Sequence, residues 1–212
     1  MKKIPNLLLI ALIVCSGTSC FKEDKIAPII QLKGLPIVII PIGTDYKDEG
    51  VTAEDDRDGD ITYLVQTNGT PDTKNAGQYF IRYNVNDASG NHAAEAIRTI
   101  FVAHQNSSLE GIYETTETCN SNQANYFITV NGESDNKYRI YLKNFNELPN
   151  DKIIFADIAG NTRQSVVIPE QTIADTIYSG SGTINSTGTK IIIDFTRTYH
   201  STVDSCSIIL TR

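Results

Sequence analysis

The side chains of this 212-residue chain whose types and spacing could do chemistry are four cysteines, an acidic run, three histidines and one loop tyrosine. Cys20 follows Ser16-Gly17-Thr18-Ser19. Small residues before a cysteine are what signal peptidase II accepts, and the thiol of such a cysteine is joined to diacylglycerol before the cut. Gly17 departs from the usual pattern, in which leucine is commoner at that place. Cys15 competes as the site, but the branched Val14 before it suits cleavage poorly. The alternative is an ordinary secretory signal cut near Ser19, which would leave Cys20 as a free thiol, a liability outside the cell. Cys119 and Cys206 remain, and two cysteines in an oxidising compartment usually pair. Free or metal-binding thiols are the other reading, without histidines nearby to complete a metal set.

Asp56-x-Asp58-Gly59-Asp60 places carboxylates at alternate positions, from which they can turn toward one hard cation. A calcium loop of the EF-hand kind would continue to a bidentate glutamate, and none stands at the required distance. The competing reading is a tight acidic turn in which Gly59 takes positive φ and the aspartates accept backbone amides. The turn is preferred, so no metal and no cofactor is expected, with Asp56, Asp58 and Asp60 the only candidate ligands. His92 follows a hairpin turn and His104 lies in a polar connector, so both are expected in solvent. His200 stands beside Tyr199 in a polar loop, and Tyr199 is the residue chosen for ligand contact, weighed against an ordinary loop tyrosine. Neither GxSxG nor HExxH nor a phosphate-binding glycine loop occurs, and no carboxylate pair can be singled out. No catalytic residue is assigned, and the chain is not expected to be an enzyme.

The elements that must hold these groups begin with an export signal. Lys2 and Lys3 precede the apolar run Leu7–Val14, which is too short to span a bilayer, a task that needs about 20 residues. Residues 1–19 are therefore read as a signal peptide and 20–25 as a lipidated tether. Of the 18 basic residues the signal removes two, leaving 16 against 25 acidic ones, a net charge near −9. So acidic a chain would repel a phosphate backbone, which argues against nucleic acid as a partner.

Beyond the tether the fold class is all-β. In residues 26–104, Tyr79, Ile81, Tyr83 and Val85 alternate onto one face, as do Ala96, Arg98, Ile100 and Val102, the pattern of a β-sandwich. Residues 104–108 (His104 to Ser108) are a short polar connector. Residues 109–212 hold about eight strand candidates, beginning near Gly111, Tyr126, Lys137, Lys152, Gln164, Tyr178, Lys190 and Cys206. Short connections favour an antiparallel meander closing into a small barrel, with Tyr138, Ile140 and Leu142 inward and Cys119 joined to Cys206 across neighbouring strands. Tyr113, Tyr126, Tyr138 and Tyr178 fall on strand patterns and are expected in the core or lining.

Three resemblances add to this reading. Phe21-Lys22-Glu23-Asp24 resembles the surface-export signal of Bacteroidetes lipoproteins, carried here by Lys22, Glu23 and Asp24; any lipoprotein tether could carry the same charges. Gly43–Ala53, Asp55–Thr62, Gly77-Gln78-Tyr79 and Tyr83–Asn91 follow in order and resemble the bacterial immunoglobulin-like domain of cell-surface proteins. In that family the domain is mostly a spacer or adhesive module. Leu109–Tyr113, Val167–Gln171 and Gly180–Ile184 resemble the lipocalin-like C-terminal domains of Bacteroidetes surface lipoproteins. Together they imply an outer-membrane lipoprotein facing the medium, held to the membrane by its lipid. The expected function is accessory glycan binding with the sandwich as spacer. A structural or adhesion protein that binds another surface protein, and a lipocalin-like carrier of a small apolar ligand, are the alternatives.

Overall fold

A computed structural model describes residues 23–149 and 151–212. Cys15, Cys20 and Lys22, and with them the anchor and most of the export signal, lie outside the described residues. Seven strands come first: β1 (Ile29–Leu32), β2 (Ile37–Pro41), β3 (Val51–Asp55), β4 (Gly59–Asp60), β5 (Gln66–Asn68), β6 (Gly77–Asn84) and β7 (Ala96–Ala103). They form two sheets, β1-β3-β4 and β2-β7-β6-β5, with β2 parallel to β7 and the other pairs antiparallel. Alternation along β6 and β7 puts Ile81, Tyr83, Ile100 and Val102 inward, against Val51 of β3. This is the β-sandwich that the alternation predicts.

Arg98 shares that inward face and is fully buried. A guanidinium is tolerated there only with partners. Its Nη1 pairs with Asp48 Oδ1 at 3.0 Å, and its Nη2 donates to the carbonyls of Gly50, at 3.1 Å, and Lys33. Asp48 also accepts from the Gly50 amide at 2.7 Å, the Tyr83 hydroxyl at 2.6 Å and the Tyr46 hydroxyl at 3.2 Å. Burial and the Asp48 carboxylate push the Tyr83 hydroxyl well above its usual pKa, so it stays a donor.

Eight strands follow: β8 (Gly111–Cys119), β9 (Asn122–Gly132), β10 (Arg139–Lys143), β11 (Ile153–Ala159), β12 (Ser165–Ile173), β13 (Thr176–Ile184), β14 (Lys190–Tyr199) and β15 (Thr202–Thr211). Every neighbouring pair is antiparallel, and β15 returns to β8 to close a barrel. Two-residue turns join β8 to β9 and β12 to β13, with φ of 47° and 70° at Asn120-Ser121 and 48° and 63° at Ala174-Asp175. Positive φ at both central residues gives the twist such a hairpin needs. In β12 the ladder shifts between Ile168 and Gln171, around Pro169, which has no N–H to give. Past that bulge the Gln171 side chain takes over, accepting from the Phe155 amide at 3.1 Å and donating to its carbonyl at 2.9 Å.

The barrel interior is packed solid. Tyr113, Phe145, Ile128, Ile140, Leu142, Ile154 and Ile168 are fully buried, and Phe145 lies 4.7 Å from the Phe195 ring and edge-on to Tyr178 at 6.3 Å. Phe145 comes from a 3-10 turn between β10 and β11 that plugs one end. The apolar-carrier alternative therefore loses the hollow interior it requires. Tyr138 also departs from expectation. It precedes β10, half-buried, with Arg163 over its ring at 4.1 Å, because the strand starts one residue later.

His104 is corrected too: it is fully buried, not solvated. Its Nε2 lies 3.0 Å from the Asn185 carbonyl and its Nδ1 3.2 Å from Ser108 Oγ, while its amide donates to the Thr162 carbonyl. The connector is thus pinned against the barrel loops that follow β11 and β13. Burial, assisted by the nearby Arg212 charge, lowers the imidazole pKa. The unfolded chain, with an ordinary pKa near 6.5, then binds the proton more readily than the folded one. Stability contributed by His104 is complete above about pH 6.5 and is lost as pH falls below it. Thermal unfolding followed from pH 7 to 5 is expected to show this loss, and His104→Gln to flatten the slope in that window.

Candidate functional site

Up-and-down connectivity sorts the barrel hairpins to two ends. Those after β9, β11 and β13 lie with the connector and with Arg212, whose guanidinium donates to the carbonyls of Glu110 at 2.6 Å and Ser108 at 2.7 Å. The sandwich touches this end as well, through the Ala76 amide on the Ser186 carbonyl at 2.8 Å. The hairpins after β8, β10, β12 and β14 form the opposite rim, which points away from the sandwich.

At that rim the inward positions become polar. Arg197 of β14 and Asp204 of β15 are register partners, joined Nε to Oδ2 at 2.9 Å. Asn120 donates to the other oxygen of Asp204 at 2.5 Å. Arg197 and then Asn120 hold the Asp204 carboxyl below the usual carboxylate range. Arg197 Nη1 donates to Asn146 Oδ1 at 3.1 Å, and the Asn146 side chain donates in turn to Glu117. Tyr126 donates to the second oxygen of Glu117, and its hydroxyl accepts the Asn146 amide at 3.0 Å. Burial and then Glu117 push the Tyr126 hydroxyl pKa far up. Asn146 makes both contacts from the left-handed region, φ 51°, which asparagine tolerates better than most residues. The network runs unbroken from Asn120 to Tyr126. Both oxygens of Glu117 are committed within it, one to Asn146 and one to Tyr126.

Above the network opens a pocket of about 350 Å³ lined by Thr176, Tyr178, Arg197, Tyr199, Thr202 and Asp204. Tyr199 is half-exposed on its wall, its ring 4.2 Å from that of His200. One aromatic face beside a fixed cation–carboxylate pair can orient a polar ligand that has an apolar side. A second concavity, an open groove of about 650 Å³, lies on the outer wall near the same rim. Register aligns Thr118, Ser207, Asp194 and Ser181 across it, with Ser205, Thr196 and Ser179 in the next row. It offers hydroxyls but no exposed ring, since Phe195 is buried.

Of the residues singled out in the sequence, Tyr199 is thus in a pocket, and Cys119 is bonded to Cys206 across the β8–β15 seam. His200 is exposed on the rim turn and His92 is exposed beside Asn86, 2.6 Å from its side-chain oxygen. Asp56, Asp58 and Asp60 do not converge. Asp56 is exposed, Asp58 accepts the Ala88 amide at 2.7 Å and Asp60 the Thr62 amide at 2.9 Å. Glu117, Asn120, Asn146, Arg197 and Asp204 were not singled out. Three of them carry a signal, a charged residue on an inward phase: Glu117 between Thr115 and Cys119, Arg197 following Ile193 and Phe195, and Asp204 two before Cys206; Asn120 and Asn146 lie in turns and carry none.

Comparison with known proteins accords with the sandwich. Residues 30–102 match the family described as bacterial surface protein, Ig-like domain. No curated protein matches the chain. Among solved structures the chain is similar to the lipoprotein BT2262 from Bacteroides thetaiotaomicron, at 19% identity and a TM-score of 0.36, covering 87% of this chain and all of that one. It is also similar to a structure of CBM51-2 in complex with GlcNAc and INT domains from Clostridium perfringens ZmpB. There the identity is 13% and the TM-score 0.30, over 87% of this chain and 44% of that one. No helix among the described residues is long and apolar enough to cross a membrane.

Proposed function

We propose that the protein is a non-catalytic cell-surface lipoprotein, anchored to the outer membrane through Cys20, that binds glycan at the barrel rim. A surface-type Ig-like domain between tether and barrel suits a spacer, and the rim pocket faces away from it. The observation that carries the reading is the half-exposed Tyr199 ring beside the fixed Arg197–Asp204 pair in one pocket. A pyranose presents an apolar face for the ring and vicinal hydroxyls for the pair. With Arg197 and Asp204 already held by neighbours, little side-chain freedom is lost on binding.

The test is a glycan array followed by calorimetry on the chain without its first 20 residues. Saturable binding is expected, weakened about tenfold by Tyr199→Ala, as loss of one stacked ring would give. Unchanged thermal unfolding of that variant would place the effect in the site. Binding to no glycan would sink the reading.

One further observation favours a protein partner as the second reading. The outer face of the β2-β7-β6-β5 sheet carries Ile37 and Ile39, each more than half exposed, with Leu35, Phe80 and Ile97 nearby. β2 is an edge strand of that sheet, where an extended segment of another chain can add by main-chain pairing.

A further inference from the structure

Asp24, Asp55 and Asp87 reach the sandwich from three separate parts of the chain, and their carboxylate oxygens lie within 4.8 Å of one another. Asp55 ends β3, Asp87 opens the turn after β6, and Asp24 belongs to the tether. Asp55 is 8% exposed and Asp87 7%. Asp55 Oδ1 accepts the amides of Arg57 at 3.0 Å and Asp58 at 2.9 Å, whereas its buried Oδ2 has no hydrogen-bond partner. Asp24 repeats this: Oδ1 accepts the Ile26 amide at 3.1 Å and the buried Oδ2 has none. Asp87 is held by the Asn91 amide and side chain, each at 2.7 Å, and Asn91 also donates to the Asp24 carbonyl at 3.3 Å. Burial works against the Asp87 charge, but the Asn91 bonds outweigh it and keep the carboxyl below its usual range.

Among the described residues no lysine, arginine or histidine forms an ion pair with any of the three. Gathered carboxylates with two buried, unpartnered oxygens lack only a positive charge. We infer that Asp24, Asp55 and Asp87 hold a calcium ion that fastens the tether to the sandwich. The donors are all oxygen, with no cysteine or imidazole in the cluster, which suits a hard cation rather than a transition metal. Calcium accepts six to eight oxygens in flexible geometry, so carbonyls and water can complete a set that three carboxylates begin. Affinity belongs in the range of extracellular modules, about 0.1–1 mM, so the site fills outside the cell and not within it. The ion would fix where the chain leaves the sandwich, and hence how the domain stands on its anchor.

The experiment uses the chain without its first 20 residues, unfolded thermally in EGTA and in calcium up to about 10 mM, well above that range. Calcium is expected to raise the midpoint by about 5 °C or more, since it binds only the folded state. It should also slow tryptic cleavage after Lys25. Asp55→Asn keeps the oxygen that caps Arg57 and Asp58 and is expected to abolish both responses. Asp24→Asn, outside the sandwich core, folds regardless and is expected to weaken calcium binding at least about tenfold. No midpoint shift and no calorimetric heat with calcium overturns the proposal. So does a shift equalled by magnesium at the same concentration, or one that both variants retain.

Discussion

Asp48→Ala is expected to cost the sandwich about 3–5 kcal/mol, because it leaves the fully buried Arg98 guanidinium without its counter-charge. The carbonyls of Lys33 and Gly50 would still accept from Nη2, but they carry no net charge. The Tyr83 hydroxyl and the Gly50 amide would lose their acceptor at the same moment. For a domain of this size the loss corresponds to a drop on the order of 15 °C or more in its unfolding transition. Arg98→Met should cost less. It removes the buried charge, and Asp48, whose side chain is 23% exposed, keeps the hydroxyls of Tyr46 and Tyr83 and some water. The double variant is therefore expected to be more stable than Asp48→Ala alone, and differential scanning calorimetry of the four proteins measures the coupling. Additive effects would mean that Arg98 finds other partners once Asp48 is gone.

That ion pair shows where sequence reading reaches and where it stops. The period-2 pattern put Arg98 on the same face as Ile100 and Val102, and the structure agrees. Its partner lies 50 residues earlier in a loop, and only the packing of one sheet on the other brings them together. The rim site has the same character. Alternation along β8, β14 and β15 is local, so the inward phases of Glu117, Arg197 and Asp204 were there to be read. Their convergence depends on β15 closing against β8 and on an asparagine-rich turn whose left-handed backbone no period announces. With the aspartates, the motif and the buried carboxylate do not coincide. Alternate carboxylates in Asp56–Asp60 suit a loop that wraps an ion, but here β3 and β4 form a hairpin whose turn uses Asp58 and Asp60 to bind backbone amides. Asp55, one residue earlier, falls on the inward phase of β3 with Val51 and Ala53 and is the one buried. Its neighbours in space come from positions 24 and 87, beyond the reach of any local pattern.

Replacing Cys119 and Cys206 with alanine is expected to lower the urea midpoint of the barrel by about 2 M. The other seven seams of the barrel join consecutive strands, and each closes over a short loop. The β15–β8 seam alone joins the ends of the barrel chain, over a separation of 87 residues. Chain-entropy reasoning assigns a crosslink over that distance about 4–5 kcal/mol, drawn from restriction of the unfolded chain. With a urea dependence of about 2 kcal/mol per molar, typical of a domain near 100 residues, the shift follows. Alanine is the suitable replacement because both cysteines are buried, at 8% and 5% exposure, and a serine hydroxyl would need a partner. The bond also has a local task. It lies at the rim end of a six-pair ladder running from Cys206–Cys119 to Thr211–Glu114, directly beneath Asn120 and beside Glu117. Hydrogen exchange in the variant should therefore rise first at the amides of Cys119, Asn120 and Asp204, and any ligand bound at Tyr199 should be held less tightly. Unchanged exchange there, together with an unchanged midpoint, would mean that strand pairing alone closes the seam. The disulfide would then be a consequence of the register that places the two cysteines opposite each other, and not a support for the site above it.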